Sequence, residues 1–161
     1  MPMSINRSTP TPVILMPGGG ETLSIMGMTI AFKTTGRQSG GQFSAIEVTE
    51  QAGSASPVQY NQVFAIASYV LEGTATLQVG DETIELGPGG YAYLPAGTVY
   101  QFRNDSAAPV KYLTFSSPAG LDEYIAEAVR LVAGEPSWPP ADMSKLVALR
   151  TKYHFYDPPA G

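Results

Sequence analysis

Residues Gly89 to Asn104 read GGYAYLPAGTVYQFRN. Two short segments rich in aromatic residues, YAYL and VYQF, flank the turn sequence Pro95-Ala96-Gly97. Short segments of this kind, separated by proline and glycine, are typical of antiparallel strands joined by tight turns. The stretch therefore predicts two strands of an all-β fold.

The same pattern extends in both directions, from Thr22 to Ser117. The clearest example is YVLEGTATLQVGDETIEL, in which Glu72-Gly73 and Gly80-Asp81 each predict a turn from one strand into the next. Many short strands at this spacing predict a sandwich or a barrel. Further turn signals lie at Gly36, Gly40-Gly41, Gly53, Pro88-Gly89-Gly90 and Asn104-Asp105.

After Pro118 the pattern becomes helical. In GLDEYIAEAVRLVAG, residues 120–134, apolar residues recur at helical spacing, acidic residues come early, and a glycine follows the last turn. PSWPP then interrupts the chain, with Trp138 as an expected packing anchor, and ADMSKLVALRTKY predicts a second helix. We therefore expect an irregular arm over residues 1–20, a β-barrel over residues 21–117, and a helical extension of the same domain over residues 118–161.

The composition excludes several classes of function. A chain of 161 residues suits one domain with its own core. The net charge of −5 argues against attraction to phosphates or anionic lipid, so we expect neither nucleic acid nor a membrane as a partner. The chain has no cysteine, which excludes disulfides and thiolate metal sites. No apolar run approaches the ~20 residues of a membrane span, and we expect a cytoplasmic protein.

The spacing of Gly89, Pro95-Ala96-Gly97 and Asn104 resembles the second sequence motif of the cupins. The leader PGGGETLSIMGMTIAFKTTGRQSGGQFSAIEVTE and the tail with its closing Pro-Pro resemble single-domain cupins of the quercetin-dioxygenase-like type. The resemblance covers residues 17 to 160. It implies an antiparallel jelly-roll β-barrel with a small-molecule pocket between two sheets, followed here by C-terminal helices. It also implies a homodimer.

Cupins of this type hold a divalent metal with three histidines and one glutamate, and the resemblance assigns those four positions in this chain. None of them carries a histidine or a carboxylate here. The glutamate position is Ile66, the paired histidines fall on Gln59 and Asn61 or, with a shorter spacer, on Tyr60 and Gln62, and the third histidine falls on Tyr100.

The chemistry of metal ligands explains why these replacements argue against a metal site. Imidazole and carboxylate groups bind Fe, Mn, Ni or Cu at neutral pH, whereas carboxamide oxygens are weak neutral donors. Ile66 offers no donor atom, and the phenol of Tyr100 would first have to lose a proton. The single histidine, His154, lies in the tail. The sequence therefore predicts a metal-free site that holds no cofactor.

The replaced positions still predict a pocket. Strand alternation places Gln59 with Asn61, and Tyr100 with Phe102, on the same side of their strands. Tyr100 is the candidate catalytic residue, because a phenol can donate a proton or a hydrogen bond to a developing enolate oxygen. The small side chain of Ser68 is expected to leave room in the cavity. The candidate substrate-binding residues are Gln59, Asn61, Gln62, Ile66, Ser68 and Phe102.

Four functions agree with this pattern. The first is a cofactor-independent isomerase, cyclase or lyase that acts on an oxygenated or aromatic metabolite by acid-base chemistry. The second is a cupin that binds a small organic ligand without turning it over. The third is a polar cluster whose members only satisfy one another. The fourth, a metal-dependent quercetinase-like dioxygenase, rests on the family resemblance alone.

Overall fold

A computed structural model describes residues 9–160 of the chain. Residues 1–8 of the predicted N-terminal arm lie outside the described residues, and residues 9–20 form no helix or strand. The arm contacts the domain where the N–H of Thr11 donates to the carbonyl of Gln38 at 3.1 Å. The strands and helices are β1 Thr22–Ile25, β2 Met28–Thr34, β3 Ser44–Glu50, β4 Tyr60–Asn61, β5 Ala65–Glu72, β6 Ala75–Val79, β7 Glu82–Leu86, β8 Tyr91–Leu94, β9 Tyr100–Arg103, β10 Val110–Ser117, α1 Leu121–Gly134, α2 Ser144–Lys152 and β11 Phe155–Tyr156.

The strands form antiparallel sheets around one core, as the sequence predicts. A six-stranded sheet has the order β1-β2-β3-β10-β5-β8, a three-stranded sheet has the order β7-β6-β9, and β11 pairs with β4. The strands alternate between buried and solvent-facing residues because successive side chains point to opposite faces of a sheet. In β10, for example, Val110, Tyr112 and Thr114 are buried and point into the core.

One predicted turn has a different role in the structure. Gly80-Asp81 joins the paired strands β6 and β7, so that hairpin is confirmed. At Glu72-Gly73, however, β5 and β6 do not pair, because β5 belongs to the large sheet and β6 to the small one. Gly73 has a φ of 75°, and a Cβ atom on it would lie 2.5 Å from the carbonyl oxygen of Pro109. The glycine therefore forms a corner between two sheets that no larger residue fits.

Both predicted helices are present and pack on the β structure. The start of α1 is fixed by Asp122, whose carboxylate accepts the backbone N–H of Gly36 at 2.8 Å. Leu149 of α2 and the following Tyr153 and Phe155 are buried in the same core cluster as the strands. The C-terminal segment is thus part of the core. None of the helices within residues 9–160 is long and apolar enough to cross a membrane.

Candidate functional site

A cavity of about 550 Å³ lies between the sheets and the helices. Its walls are mostly apolar, and its volume is in the range of pockets that hold small organic molecules. The large sheet contributes one wall, α1 contributes another along a single helical face, and the segment between the helices covers the remaining side. The main apolar lining residues are Met28, Ile30, Ile46, Val48 and Ile66 from the large sheet, Phe102 from the small sheet, Leu121, Ile125, Ala128 and Val132 from α1, and Trp138, Met143 and Leu146 from the C-terminal segment.

Tyr100 is the central polar residue of this cavity. It begins β9, its backbone pairs with Gln59 through bonds of 3.0 and 3.2 Å, and its side chain is buried. Its hydroxyl makes no hydrogen bond to any residue within 9–160. Burial raises the pKa of the phenol, and the nearby phenol of Tyr124 raises that pKa further. Tyr100 therefore stays protonated at neutral pH and can donate a hydrogen bond to a molecule in the cavity.

Two further tyrosines lie on either side of Tyr100. Tyr124 of α1 lines the cavity, its hydroxyl has no hydrogen-bond partner in the described chain, and burial raises its pKa. Tyr112 of β10 lines the cavity from the large sheet and stacks on Phe102 with 5.1 Å between ring centroids. Its hydroxyl donates to the carboxyl group of Glu50 at 2.9 Å. Three tyrosines thus line the cavity, and the hydroxyl of one of them, Tyr112, is bonded to Glu50 behind the wall.

Gln59 and Arg150 form the polar end of the cavity. The guanidinium of Arg150 donates to Oε1 of Gln59 at 3.4 Å and to the carboxylate of Asp157 at 2.9 Å. Nε of Arg150 is buried without a partner in residues 9–160. The positive charge of Arg150 lowers the pKa of Tyr124, against the larger effect of burial. An acceptor oxygen of a ligand would find several donors at this end, and an arginine charge to stabilise it.

Asn61 does not contribute to the cavity, contrary to the sequence prediction. Its Oδ1 accepts the backbone N–H groups of Val63 at 2.8 Å and Phe64 at 2.9 Å. Its Nδ2 donates to the carbonyl of Tyr153 at 2.8 Å. These three hydrogen bonds shape the bend after β4 and attach the C-terminal segment to the β structure.

Gln62 and Ser68 also differ from the prediction. Gln62 is solvent-exposed in the bend after β4, where its backbone N–H donates to the carbonyl of His154 at 3.1 Å. Ser68 is buried, but its hydroxyl pairs with that of Thr114 on the neighbouring strand at 2.8 Å, and Thr114 is the one that lines the cavity. The structure thus brings together four of the predicted residues, namely Tyr100, Gln59, Ile66 and Phe102.

The four positions implied by the family resemblance do not fit a divalent metal. Ile66 has no donor atom, the oxygen of Asn61 already accepts two N–H groups, and the phenol of Tyr100 holds its proton because burial raises its pKa. The remaining oxygen, on Gln59, faces a guanidinium whose charge would repel a cation. The alternative pair fits no better, because Tyr60 packs against Tyr156 and Gln62 is exposed. No cluster of three metal-ligating side chains occurs among residues 9–160.

Sequence reasoning missed several cavity residues. Arg150 and Tyr124 were expected on helices, but their position over the cavity depends on how the helices pack. Trp138, which was expected as a packing anchor of the tail, also lines the cavity. The burial of Glu50 had a signal, since Ile46 and Val48 precede it at alternate positions of β3 and predict that it shares their inward face.

Comparison with known proteins agrees with this architecture. Residues 46–116 match the family model of the cupin domain. A curated relative, the quercetin 2,3-dioxygenase of Bacillus subtilis strain 168, is 27% identical over 95 residues. The aligned part is 59% of this chain but only 28% of that enzyme, so the chain spans less than a third of the length of this relative.

Solved structures with low sequence identity share the fold. The polyketide cyclase RemF from Streptomyces resistomycificus superposes with a TM-score of 0.60 at 18% identity, over 66% of this chain and 80% of that one. An RmlC-like cupin from Shewanella frigidimarina gives a TM-score of 0.61 at 17% identity, over 70% and 96%. The KdgF protein of a Halomonas species gives 0.60 at 14% identity, over 68% and 97%. The matched domain over residues 46–116 and the shared architecture show that the chain has a cupin-type fold.

Proposed function

We propose that the cavity binds a small oxygenated aromatic molecule and catalyses a cofactor-independent acid-base step on it, such as an isomerisation, a cyclisation or an elimination. The single observation that carries this proposal is Tyr100, whose side chain lines a mostly apolar cavity and whose hydroxyl makes no hydrogen bond within residues 9–160. A phenol donates one hydrogen bond, and an oxygen atom of a bound ligand would accept it.

The surroundings of Tyr100 support an oxygenated, aromatic ligand. The apolar side chains of Ile66, Phe102 and α1 suit a planar hydrocarbon skeleton, while Gln59 and Arg150 supply donors for its oxygens. Donors fixed in a water-poor cavity stabilise a developing oxyanion more strongly than water does. Tyr100 would donate to that oxygen, and the charge of Arg150 would lower its energy.

Ligand binding without turnover is the second candidate. The donors of Tyr100, Tyr124, Gln59 and Arg150 would serve it equally well, and no carboxylate lines the cavity directly.

A dioxygenase reaction is not proposed, because the donor set does not fit the metal. The polyketide cyclase and the other solved structures share only the fold, at identities below 20%, and favour neither candidate. The homodimer and the cytoplasmic location stay predictions.

Binding of 2-naphthol tests the proposal. We expect isothermal titration calorimetry to show one site per chain, and Tyr100→Phe to weaken binding by about fivefold to tenfold, because one hydrogen bond contributes about 1 kcal/mol. Tyr91→Phe is the matched control, since Tyr91 lies on the outer face of the large sheet with 61% of its surface exposed. Unchanged affinity in Tyr100→Phe, or no binding to the wild type, would contradict the proposal.

A further inference from the structure

Glu50 is the one carboxyl group that the structure buries completely behind the cavity wall. It is the last residue of β3, it is 0% exposed, and it lies on the same strand face as Ile46 and Val48, which line the cavity. Its Oε1 accepts the hydroxyl of Tyr112 at 2.9 Å. Its Oε2 is buried and has no partner in residues 9–160.

A purely structural role explains this arrangement poorly. The neighbouring strands place Met28 and Val110 opposite Glu50, and neither can pair with a carboxylate. Asn104 bonds the backbone carbonyl of Glu50 at 3.0 Å and not its side chain. Within residues 9–160, Tyr112 is therefore the only titratable group that bonds the carboxyl group, and Tyr100 follows as the next phenol along the cavity. Buried charge without a cation is costly, and such sites are concentrated where proteins carry out chemistry.

We propose that Glu50 is the proton acceptor of the cavity and that it acts through the hydroxyl of Tyr112. This inference rests on the proposed function, because it supplies the base that the acid-base step needs. The hydroxyl of Tyr112 would contact the substrate as the catalytic group. Glu50, which is bonded to that hydroxyl, would accept its proton.

The proton transfer balances without any further reactant. The substrate X–H bond breaks and an O–H bond forms on Tyr112, while the original O–H bond of Tyr112 breaks and an O–H bond forms on Oε1 of Glu50. The electron pair stays on the substrate, and the resulting anion is stabilised by donation from Tyr100 and by the charge of Arg150. The reverse transfer delivers the proton to another atom of the substrate, which completes an isomerisation.

The electrostatics of the pair support this direction of transfer. Burial raises the pKa of Glu50, and the hydrogen bond from Tyr112 lowers it by a smaller amount. A carboxylate with a raised pKa is a stronger base than an ordinary glutamate. Burial and the adjacent Glu50 raise the pKa of Tyr112 well above its usual range, so its phenol stays neutral.

A small carbon acid tests the inference without knowledge of the natural substrate. The probe is 5-nitrobenzisoxazole, an aromatic molecule whose C–H proton is removed by a base while its N–O bond opens to a coloured phenolate. We expect the wild type to accelerate this reaction with saturation kinetics. The rate should rise with pH along one ionisation above the ordinary glutamate pKa of about 4.3.

The variants separate the base from the pocket. Glu50→Gln and Tyr112→Phe should each lower kcat by about a hundredfold, and Glu50→Gln should lose the pH dependence while it retains binding of 2-naphthol. Glu47→Gln is the matched control, because Glu47 lies on the opposite face of β3. Unchanged circular dichroism in both variants would show that they fold.

The remaining outcomes overturn one proposal or the other. A wild-type rate that Glu50→Gln leaves unchanged, or a bound probe that does not react, would overturn the role of Glu50. A full rate in Tyr112→Phe would overturn the relay. No binding of either aromatic molecule to the wild type would overturn the proposed function itself, and the inference with it.

Discussion

At the scale of single residues, the buried carboxyl group of Glu50 predicts an unusual dependence of stability on pH. Burial raises its pKa in the folded state above the ordinary glutamate value of about 4.3. Below that value Glu50 is protonated in both the folded and the unfolded state, so its contribution to stability is fully present. As the pH rises towards the folded-state pKa, the unfolded state loses its proton first, and the free energy of unfolding falls by about 1.4 kcal/mol per pH unit.

Urea unfolding of the wild type and of Glu50→Gln at a series of pH values measures this effect. The wild type should lose stability relative to the variant from about pH 5 upwards, until the folded-state pKa is passed, because glutamine does not titrate. Glu47→Gln, on the outward face of β3, should follow the wild type. Parallel stability curves for the wild type and Glu50→Gln would contradict the raised pKa.

Which side chains face inward was predictable at this scale, but their partners were not. Two-residue alternation correctly directs Tyr100 and Phe102 into the cavity. It fails for Asn61, because that side chain bonds the backbone of the adjacent bend and the carbonyl of Tyr153, which is 92 positions away in the sequence. The hydrogen bond between Glu50 and Tyr112 was not predictable for the same reason, since the two residues are 62 positions apart.

At the scale of elements, one face of α1 closes the cavity. Leu121, Ile125, Ala128 and Val132 recur every three or four residues and line it together. Ala128 is the smallest of them, so a large side chain at that position should enter the cavity. We expect Ala128→Trp to weaken 2-naphthol binding by more than about tenfold, because the indole occupies the space of the ligand.

Ala133→Trp provides the control on the same helix. Ala133 is solvent-exposed and does not line the cavity, so this variant should bind 2-naphthol like the wild type. Calorimetric titration of both variants checks the expectation. Equal loss of binding in both would show that tryptophan disturbs α1 and not the cavity, and equal affinity in both would place the ligand elsewhere.

The elements themselves were largely predictable, and their pairing was not. Local signals give the two helices and the Gly80-Asp81 hairpin, because helical periodicity and turn residues act over a few positions. Glu72-Gly73 has the same local signal as a hairpin. It becomes a corner because β5 pairs with β10 and β8 and not with β6, and this pairing depends on contacts distant in the sequence.

At the scale of the whole molecule, the cavity collects residues from the large sheet and the small sheet, from both helices and from the segment between them. No single stretch of sequence contains it, which is why the family motif around Tyr100 indicates a pocket but not its full lining. A ligand that fills this space contacts all of these elements at once. Binding should therefore stabilise the fold as a unit, since only the folded chain has the cavity.

Thermal unfolding with and without 2-naphthol measures this coupling. At a free concentration of 100 times Kd, mass action adds about 2.7 kcal/mol to the free energy of unfolding. For a domain of this size that corresponds to a rise in Tm of roughly 5–10 °C. Ala128→Trp should show almost no rise, because its indole already fills the cavity, whereas Ala133→Trp should shift like the wild type. A full rise in Ala128→Trp would mean that 2-naphthol stabilises the protein from another surface, and the assignment of the cavity as the ligand site would then fail.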